Sequence, residues 1–256
     1  MGNDIQPLLD SWPYDSAKLC VRRIKGADGR EKIQLRIEMG ILQMEITGRP
    51  DGQRPHGYES LLHYHEGQAQ AAEDKAPAGE EADYSLDSET CMMLQIEALQ
   101  YYHRRISFLE LEDYEHARLD AERNLGLFDF VKAYAADEEE KLGFEQYRPF
   151  VIGHRVRASA LLKLELSDFE GALSDIQEGI EEIRSLYTEF DRPDLVDESE
   201  EIEFLKDWAS EIRQDRPRTL SQDLHDQLKE AVARENFEKA AEIRDRIHSI
   251  GPAREA

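Results

Sequence analysis

The residue types best suited to chemistry are concentrated in one amino-terminal segment, GRPDGQRPHGYESLLHYH. Arg49 and Arg54 lie on a loop shaped by Gly and Pro, where guanidinium groups could hold a carboxylate or a phosphate. Asp51 stands between them and His56 follows, so this loop is one hypothesis for a ligand-binding or enzymatic site. In the alternative interpretation, Asp51 and Glu59 pair with the two arginines and the loop is a rigid turn.

The remaining reactive side chains do not predict a metal site or a catalytic centre. His63 and His65 are one residue apart, and on the helix that ESLLHYHEG favours their side chains point about 200° apart. Cys20 and Cys91 are too distant in sequence for a zinc ribbon, and no Ser or Cys stands in a nucleophile motif. We therefore expect no metal, no cofactor and no enzymatic activity.

The charge distribution argues against direct binding of nucleic acid. The formal net charge is −24. Residues 1–65 carry nine basic and nine acidic residues, and residues 219–250 carry five against seven, so the acid excess lies almost entirely elsewhere. Because phosphate binding depends on basic residues, such a body would repel DNA and RNA.

The sequence predicts a cytoplasmic protein. No run of about 18 apolar residues suggests a membrane span, and the amino terminus lacks the features of a signal peptide. We therefore expect no membrane association.

The elements that must position these residues fall into several parts. Residues 1–65 are expected to form a small β module: AKLCVRRIK, EKIQLRIEM and ILQMEIT alternate apolar with polar residues, which predicts a three-stranded antiparallel meander. Residues 66–87 are rich in Ala, Glu and Gly, which favours a flexible acidic linker. Together with the helices that follow, this predicts a predominantly α member of the α+β class.

Residues 88–213 are expected to form a helical domain that contains a repeated pattern. Two segments, LELEDYEHARLDAERNL and LELSDFEGALSDIQEGI, share an acidic turn followed by an aromatic residue, Glu and Ala. The corresponding positions are Asp113, Tyr114, Glu115 and Ala117 in the first copy and Asp168, Phe169, Glu170 and Ala172 in the second. The pattern predicts helical hairpins in which the small residue allows close approach, and it resembles tetratricopeptide-type repeats.

The spacing of the two copies departs from a regular repeat array. They are offset by 55 residues, whereas tetratricopeptide repeats have a period of about 34. Ala160 and Gly179 fall near small-residue positions that such repeats use. We therefore expect tetratricopeptide-like hairpins rather than a regular solenoid.

Residues 219–250 predict a further hairpin of two short helices. Leu220, Leu224, Leu228 and Val232 form an apolar stripe on the first, and the turn is expected at Glu235-Asn236. The second begins at Phe237. Two helices this short bury too little apolar surface to be stable alone, so they must pack on a body or on a partner.

With Phe237-Glu238, Ala240-Ala241 and Arg244-Asp245 in its second helix, this carboxy-terminal stretch resembles the UVR motif of the excision-repair proteins UvrB and UvrC and of Clp-associated bacterial regulators. The most specific signals are the doubled alanine at 240 and 241 and the Arg244-Asp245 pair. The matching residues are Leu228, Ala231, Val232, Glu235, Phe237, Glu238, Ala240, Ala241, Ile243, Arg244, Asp245 and Ile247.

The resemblance implies docking of a protein partner without catalysis. The implied partner is another UVR-containing protein or a component of a Clp or Uvr system, and two copies of this chain could pair through their own hairpins. The implied contact residues are Leu228, Val232, Phe237, Glu238, Ala240, Ala241, Arg244, Asp245 and Ile247.

Two differences from known UVR-containing proteins argue against specific roles for this chain. The chain has no G-x-x-x-x-G-K-[ST] sequence, so it is not the helicase UvrB, and it lacks the cysteine-rich zinc modules of the Clp regulators. A bacterial adaptor is the leading hypothesis. A ligand site at residues 49–65 and an auxiliary role in nucleotide excision repair are the alternatives.

Overall fold

The computed structural model describes residues 4–77, 82–215, 224, 227–229, 232, 234 and 236–250, except for the side chains of residues 238, 240 and 247–250. The chain divides into two compact units, Met1–Ala209 and Ser210–Ala256. It is mostly helical with one small antiparallel sheet, which confirms the predominantly α, α+β class.

Helices account for most of the first unit. They are α1 (Gln6–Asp10), α2 (Leu61–Glu73), α3 (Ser88–Glu110), α4 (Tyr114–Tyr134), α5 (Glu138–Glu145), α6 (Arg148–Glu165), α7 (Phe169–Glu189) and α8 (Glu200–Asp215), the last crossing the division between the units. Short 3-10 turns lie at Pro55–Gly57 and Pro193–Val196. No helix in the described part of the chain is both long and apolar enough to cross a membrane.

Three strands form the predicted antiparallel meander in the order β1-β2-β3. They are β1 (Cys20–Lys25), β2 (Glu31–Ile37) and β3 (Gly40–Glu45). In the register, Val21 pairs with Leu35, which pairs with Leu42, so apolar residues from all three strands share one face. The alternating pattern therefore predicted the strands correctly.

The apolar face of the sheet packs on the helices. Its buried members form one hydrophobic cluster with residues of α3, α4 and α6, and the cluster comprises Ile33, Leu35, Met44, Phe108, Ala117 and Ala158. The strands are therefore part of the same core as the helices, within the unit that ends at Ala209. The prediction of a separate β module at residues 1–65 is wrong, because sequence alternation does not reveal what the sheet packs against.

The predicted flexible linker at residues 66–87 is also wrong at both of its ends. Helix α2 continues to Glu73, and its Ala69 is buried. Leu86 is only 2% exposed, and its N–H donates to the carbonyl of Tyr134 at 2.7 Å. Alanine, glutamate and glutamine are strong helix formers, so a composition typical of linkers is equally compatible with an ordered helix.

The two segments that share a sequence pattern form equivalent helical hairpins, α3–α4 and α6–α7. In each turn one residue adopts a left-handed backbone conformation, Glu112 with φ 57° and Ser167 with φ 61°. In each, the next residue caps the second helix: Asp113 accepts from the N–H of His116, and Asp168 from that of Gly171. The repeated pattern therefore specifies the same turn twice.

Small residues lie where the paired helices approach one another. Ala117 and Ala172 are completely buried. Gly179 of α7 faces Val156 of α6 so closely that an added Cβ would lie 3.3 Å from Val156 Cβ and nearer still to its Cγ2. Contacts this short are below the normal carbon separation of about 3.5–4.0 Å, so only glycine fits at position 179 without a shift of Val156 or of the helices.

Candidate functional site

The carboxy-terminal unit contains the predicted pair of helical segments. Residues 224, 227–229 and 232 are helical, and α9 spans Phe237–Ile250. Leu224 is 1% exposed and Ile243 is 4% exposed, and the two pack together with the partly buried Leu228. Leu224 and Leu228 are four residues apart and lie on the same helical face. The predicted apolar stripe therefore contacts the second helix at these positions.

A single polar residue marks the start of α9. Asn236 is not helical, and its Oδ1 accepts a hydrogen bond from the N–H of Lys239 at 3.2 Å. This is the geometry of an asparagine N-cap, in which the side chain satisfies an N–H that the helix leaves without a partner. Asn236 is therefore the cap at the predicted turn, and Glu235 lies outside the described residues.

Two apolar side chains near this turn remain in solvent. Phe237 is 68% exposed and Val232 is 50% exposed. Both were predicted as contact residues. Leu224 and Ile243 of the same unit are buried, whereas these two side chains are exposed. The hairpin therefore has both an internal apolar face and an external one.

The predicted charged pair lies on the outer surface of α9. Arg244 donates from Nε and Nη2 to Asp245 Oδ1 at 3.0 and 2.7 Å, and their side chains are 60% and 69% exposed. Exposed ion pairs contribute little to stability, typically about 0–1 kcal/mol. The pair is therefore better suited to recognition than to holding the hairpin together.

The remaining predicted contact residues are less informative. Ala241 is partly buried. The side chains of Glu238, Ala240 and Ile247 lie outside the described residues.

In the first unit, the predicted ligand-binding loop is largely occupied by contacts within the protein. The Nε atom of Arg49 lies 3.3 Å from Asp51 Oδ1 and 3.3 Å from Glu97 Oε2. Asp51 also accepts hydrogen bonds from the N–H of Gln53 and from the side chain of Gln100. Arg49 is thus held by two carboxylates, as in the alternative interpretation of a rigid turn, although its pair with Glu97 was not predicted.

The other members of that cluster do not converge on Arg49. His56 has a φ of 52°, and its ring stacks on Tyr64 at 4.1 Å between centroids. Arg54 is exposed and makes no ion pair within the described part of the chain. In the described part of the chain, no hydrogen bond, ion pair or ring contact joins Arg49, Arg54 and His56 to one another.

A buried glutamate is the organising residue that sequence reasoning missed. Glu97 on α3 is fully buried and accepts hydrogen bonds from the backbone N–H groups of Leu61 and Leu62, at 2.8 and 3.2 Å. It also pairs with Arg49 and Arg123. Glu97 therefore caps the start of α2 from another helix. A charged residue within the apolar stripe of α3 was the available signal.

A second buried ion pair connects the sheet with the helices. Arg104 donates from Nε and Nη2 to Asp120 at 2.9 and 2.7 Å, and from Nη1 to the carbonyls of Glu45 and Gly48. Burial raises the pKa of Asp120, while the hydrogen bonds from Arg104 oppose this rise. All these groups are engaged in joining elements, which indicates a structural role.

A surface cleft of about 670 Å³ lies between α2 and the segment before α3. Within its lining, Nδ1 of His65 lies 2.9 Å from the hydroxyl of Tyr84. Burial lowers the pKa of His65 and raises that of Tyr84 to about 12, so this hydrogen bond joins a neutral imidazole and a neutral phenol. His63 and His65 both lie on helix α2, as predicted. No group of three or more His, Cys, Asp or Glu side chains in the described part of the chain is arranged to hold a metal ion.

Comparison with known families identifies the carboxy-terminal stretch. A family model named UVR and described as the UvrB/uvrC motif matches residues 222–251. Comparisons with curated proteins and with solved structures give no match. The predicted UVR resemblance is therefore confirmed for the hairpin, which is a small fraction of the chain.

Proposed function

We propose that this chain is a bacterial, cytoplasmic adaptor without catalytic activity, and that it binds a protein partner through its UVR hairpin. The observation that carries the proposal is the division of apolar residues within the hairpin. Leu224 and Ile243 are buried against each other, whereas Phe237 and Val232 remain exposed beside them. A partner that covers Phe237 and Val232 would gain the free energy of burying their side chains, which the hairpin alone does not gain.

The gain can be estimated from the exposed area of Phe237. The residue is 68% exposed, and a phenylalanine side chain offers about 200 Å². Burial of that exposed fraction stabilises a complex by roughly 3 kcal/mol at about 25 cal/mol per Å², or about a hundredfold in affinity. Phe237 alone thus has the magnitude of an interface hot spot.

The exposed Arg244-Asp245 pair supplies the orientation of the partner in this proposal. Charges at the rim of an apolar contact mainly determine specificity and the rate of association. With one positive and one negative charge at adjacent positions, α9 favours a partner surface that has the opposite order of charges. A second UVR hairpin packed antiparallel against the first has this property.

The helical body is proposed to be tetratricopeptide-like. Support comes from the equivalent turns at Glu112 and Ser167 and from the close approach at Gly179. Arrays of such hairpins commonly present extended surfaces to partners, so the body is a scaffold that offers a second binding surface.

The proposed partner is another UVR-containing protein, from either the excision-repair or the Clp system, or a second copy of this chain. Protein is favoured over nucleic acid because the net charge of −24 opposes contact with phosphates. An auxiliary role in excision repair uses the same hairpin and differs only in which protein is captured.

The test compares three full-length proteins: wild type, Phe237→Ser and the control Leu166→Ser. Leu166 is 82% exposed in the first unit, so the control removes a comparable apolar surface elsewhere. Binding is measured by fluorescence anisotropy against a labelled UVR hairpin of UvrB, and self-association by sedimentation velocity. The same proteins serve as baits in a bacterial lysate, with captured proteins identified by mass spectrometry.

We expect Phe237→Ser to weaken binding about a hundredfold in at least one of these three measurements. Leu166→Ser should leave binding unchanged. Circular dichroism of both variants should match that of the wild type, because neither side chain is buried. Equal binding by wild type and Phe237→Ser in every arm refutes docking through this surface. Equal weakening by both substitutions would show that binding is not specific to the surface at Phe237.

A further inference from the structure

Two neighbouring arginines of α3 are buried in different ways. Arg104 is fully paired with Asp120, as described above. Arg105 is 1% exposed, and its only hydrogen bond in the described part of the chain is from Nε to Nδ1 of His154, at 3.2 Å. Its Nη1 is buried and has no hydrogen-bond partner there. Arg105 therefore has no ion pair of its own, although the charge of Asp120, which is paired with Arg104, also acts on it. Burying a guanidinium nitrogen without a hydrogen-bond acceptor is costly, because burial removes water that nothing replaces.

Aromatic rings lie around Arg105, and a further arginine lies near its partner His154. The rings of Tyr102 and Phe150 lie 5.6 and 6.0 Å from its Cζ. On α6, one turn beyond His154, Arg157 is exposed and makes no ion pair within the described part of the chain. In a chain with 56 acidic and 32 basic residues, two arginines that act on the same histidine and form no ion pair are unusual.

His154 completes this group as a neutral donor. Burial, together with the charges of Arg105 and Arg157, lowers its pKa to about 3. Because its Nδ1 accepts from Arg105, the neutral ring carries its proton on Nε2. Three donors on α3 and α6, namely Arg105 Nη1, His154 Nε2 and the Arg157 guanidinium, therefore have no hydrogen bond to a carboxylate in the described part of the chain.

We propose that Arg105, His154 and Arg157 form a binding site for a carboxylate presented by an acidic segment of a partner protein. The planar guanidinium of Arg105 matches the geometry of a carboxylate, and the rings of Tyr102 and Phe150 exclude water around the pair. Arg157, at the exposed side, supplies the attraction that brings the anion in. In the free protein Arg105 is closed off from solvent, so binding requires the half-buried Phe150 or His154 to move aside.

This site is independent of the proposed docking by the carboxy-terminal hairpin. Its three residues belong to α3 and α6, both within the Met1–Ala209 unit. The Phe237→Ser variant should therefore bind the carboxylate as the wild type does, and the two proposals can fail separately.

The experiment uses the full chain and two synthetic hexapeptides that differ only in having three glutamates or three glutamines. Binding is measured by isothermal titration calorimetry, with inorganic phosphate as a third probe. The test variants are Arg105→Met and Arg157→Gln. Arg155→Gln is the matched control, because Arg155 lies on the same helix and already pairs with Glu182.

We expect the glutamate peptide to bind and the glutamine peptide to fail. Each test variant should weaken binding by about tenfold or more, the effect of losing a charge-assisted hydrogen bond, and Arg155→Gln should have no effect. Arg105→Met should also raise the melting temperature of the free protein, since methionine fills the space without an unpaired charge. Arg157→Gln is an exposed substitution and keeps the test valid if Arg105→Met does not fold.

Three outcomes would overturn the proposal. The first is no binding of the glutamate peptide, and the second is binding that survives both test variants. The third is binding of phosphate but not of the peptide, which would exclude a protein carboxylate as the ligand.

Discussion

Two helical glycines of the first unit are expected to respond in opposite directions to the same substitution. Gly179 on α7 faces Val156 on α6, and a Cβ there would overlap the valine side chain. Gly126 on α4 has nothing within 4 Å of the position that a Cβ would take. Replacement by alanine therefore tests whether α6 and α7 approach as closely as the hairpin packing requires.

The magnitudes follow from two opposing effects. Alanine is favoured over glycine in a helix interior by about 1 kcal/mol, and this gain applies at both positions. Overpacking of a close contact costs about 1–3 kcal/mol, and it applies only at Gly179. We expect Gly126→Ala to stabilise the unit by about 0.5–1 kcal/mol and Gly179→Ala to destabilise it by up to about 2 kcal/mol.

The assay is urea unfolding followed by tryptophan fluorescence. Trp12 and Trp208 are the two tryptophans of the chain, and both belong to the first unit. In the double variant Gly179→Ala with Val156→Ala, the overlap is removed, so the coupling between the two substitutions should be favourable by at least about 1 kcal/mol. If Gly179→Ala proves as stabilising as Gly126→Ala, the reasoning about close approach is wrong.

The remaining predictions concern charge and the hairpin core. His154 stays neutral in the folded protein to about pH 3 but is protonated near its ordinary pKa of 6.5 when unfolded. Stability should therefore decrease as the pH falls below 6.5, by about 2 kcal/mol at pH 5, and urea titrations of His154→Gln should lack this decrease. Glu97→Gln leaves the cations of Arg49 and Arg123 without a buried partner, so unfolding should become easier by about 3–5 kcal/mol; a loss below 1 kcal/mol would contradict the assigned role. Ile243→Ala should cost the hairpin about 2–4 kcal/mol, visible as faster hydrogen exchange in residues 224–250 with unchanged tryptophan unfolding, and unaltered exchange would show that Ile243 is not part of its core.

Local patterns predicted the local elements of this fold. The alternation around Ile33 and Leu35 places side chains on one face of a strand whatever lies beyond it, so the meander follows directly. The repeated acidic turns are likewise determined by nearby residues, since Asp113 and Asp168 cap helices that begin one residue later. In both cases the deciding interactions lie within a few residues of the chain.

The wrong predictions concern structural features that depend on contacts between residues distant in the sequence. Leu86 is buried because its backbone pairs with Tyr134 and Ala136, and no feature of residues 66–87 reveals this. Glu97 and Arg105 were overlooked as functional or structural centres for the same reason. Both fall on the buried side of α3, so a charged residue within a helical apolar stripe was the signal that deserved more weight than the exposed arginines of the 49–65 loop.

The hairpin links partner binding to its own folding. In the described part of the chain its core consists of Leu224, Leu228 and Ile243, and a contact of this size gives a pair of short helices little stability. A partner that binds only the folded form adds its own free energy to the folding equilibrium. Substitution of Ile243 should therefore weaken capture without touching the contact surface, whereas substitution of Phe237 should weaken it without unfolding the hairpin. If excess partner restores binding and helicity together in Ile243→Ala, but restores only binding in Phe237→Ser, then the buried and exposed apolar faces have the separate roles that their burial indicates.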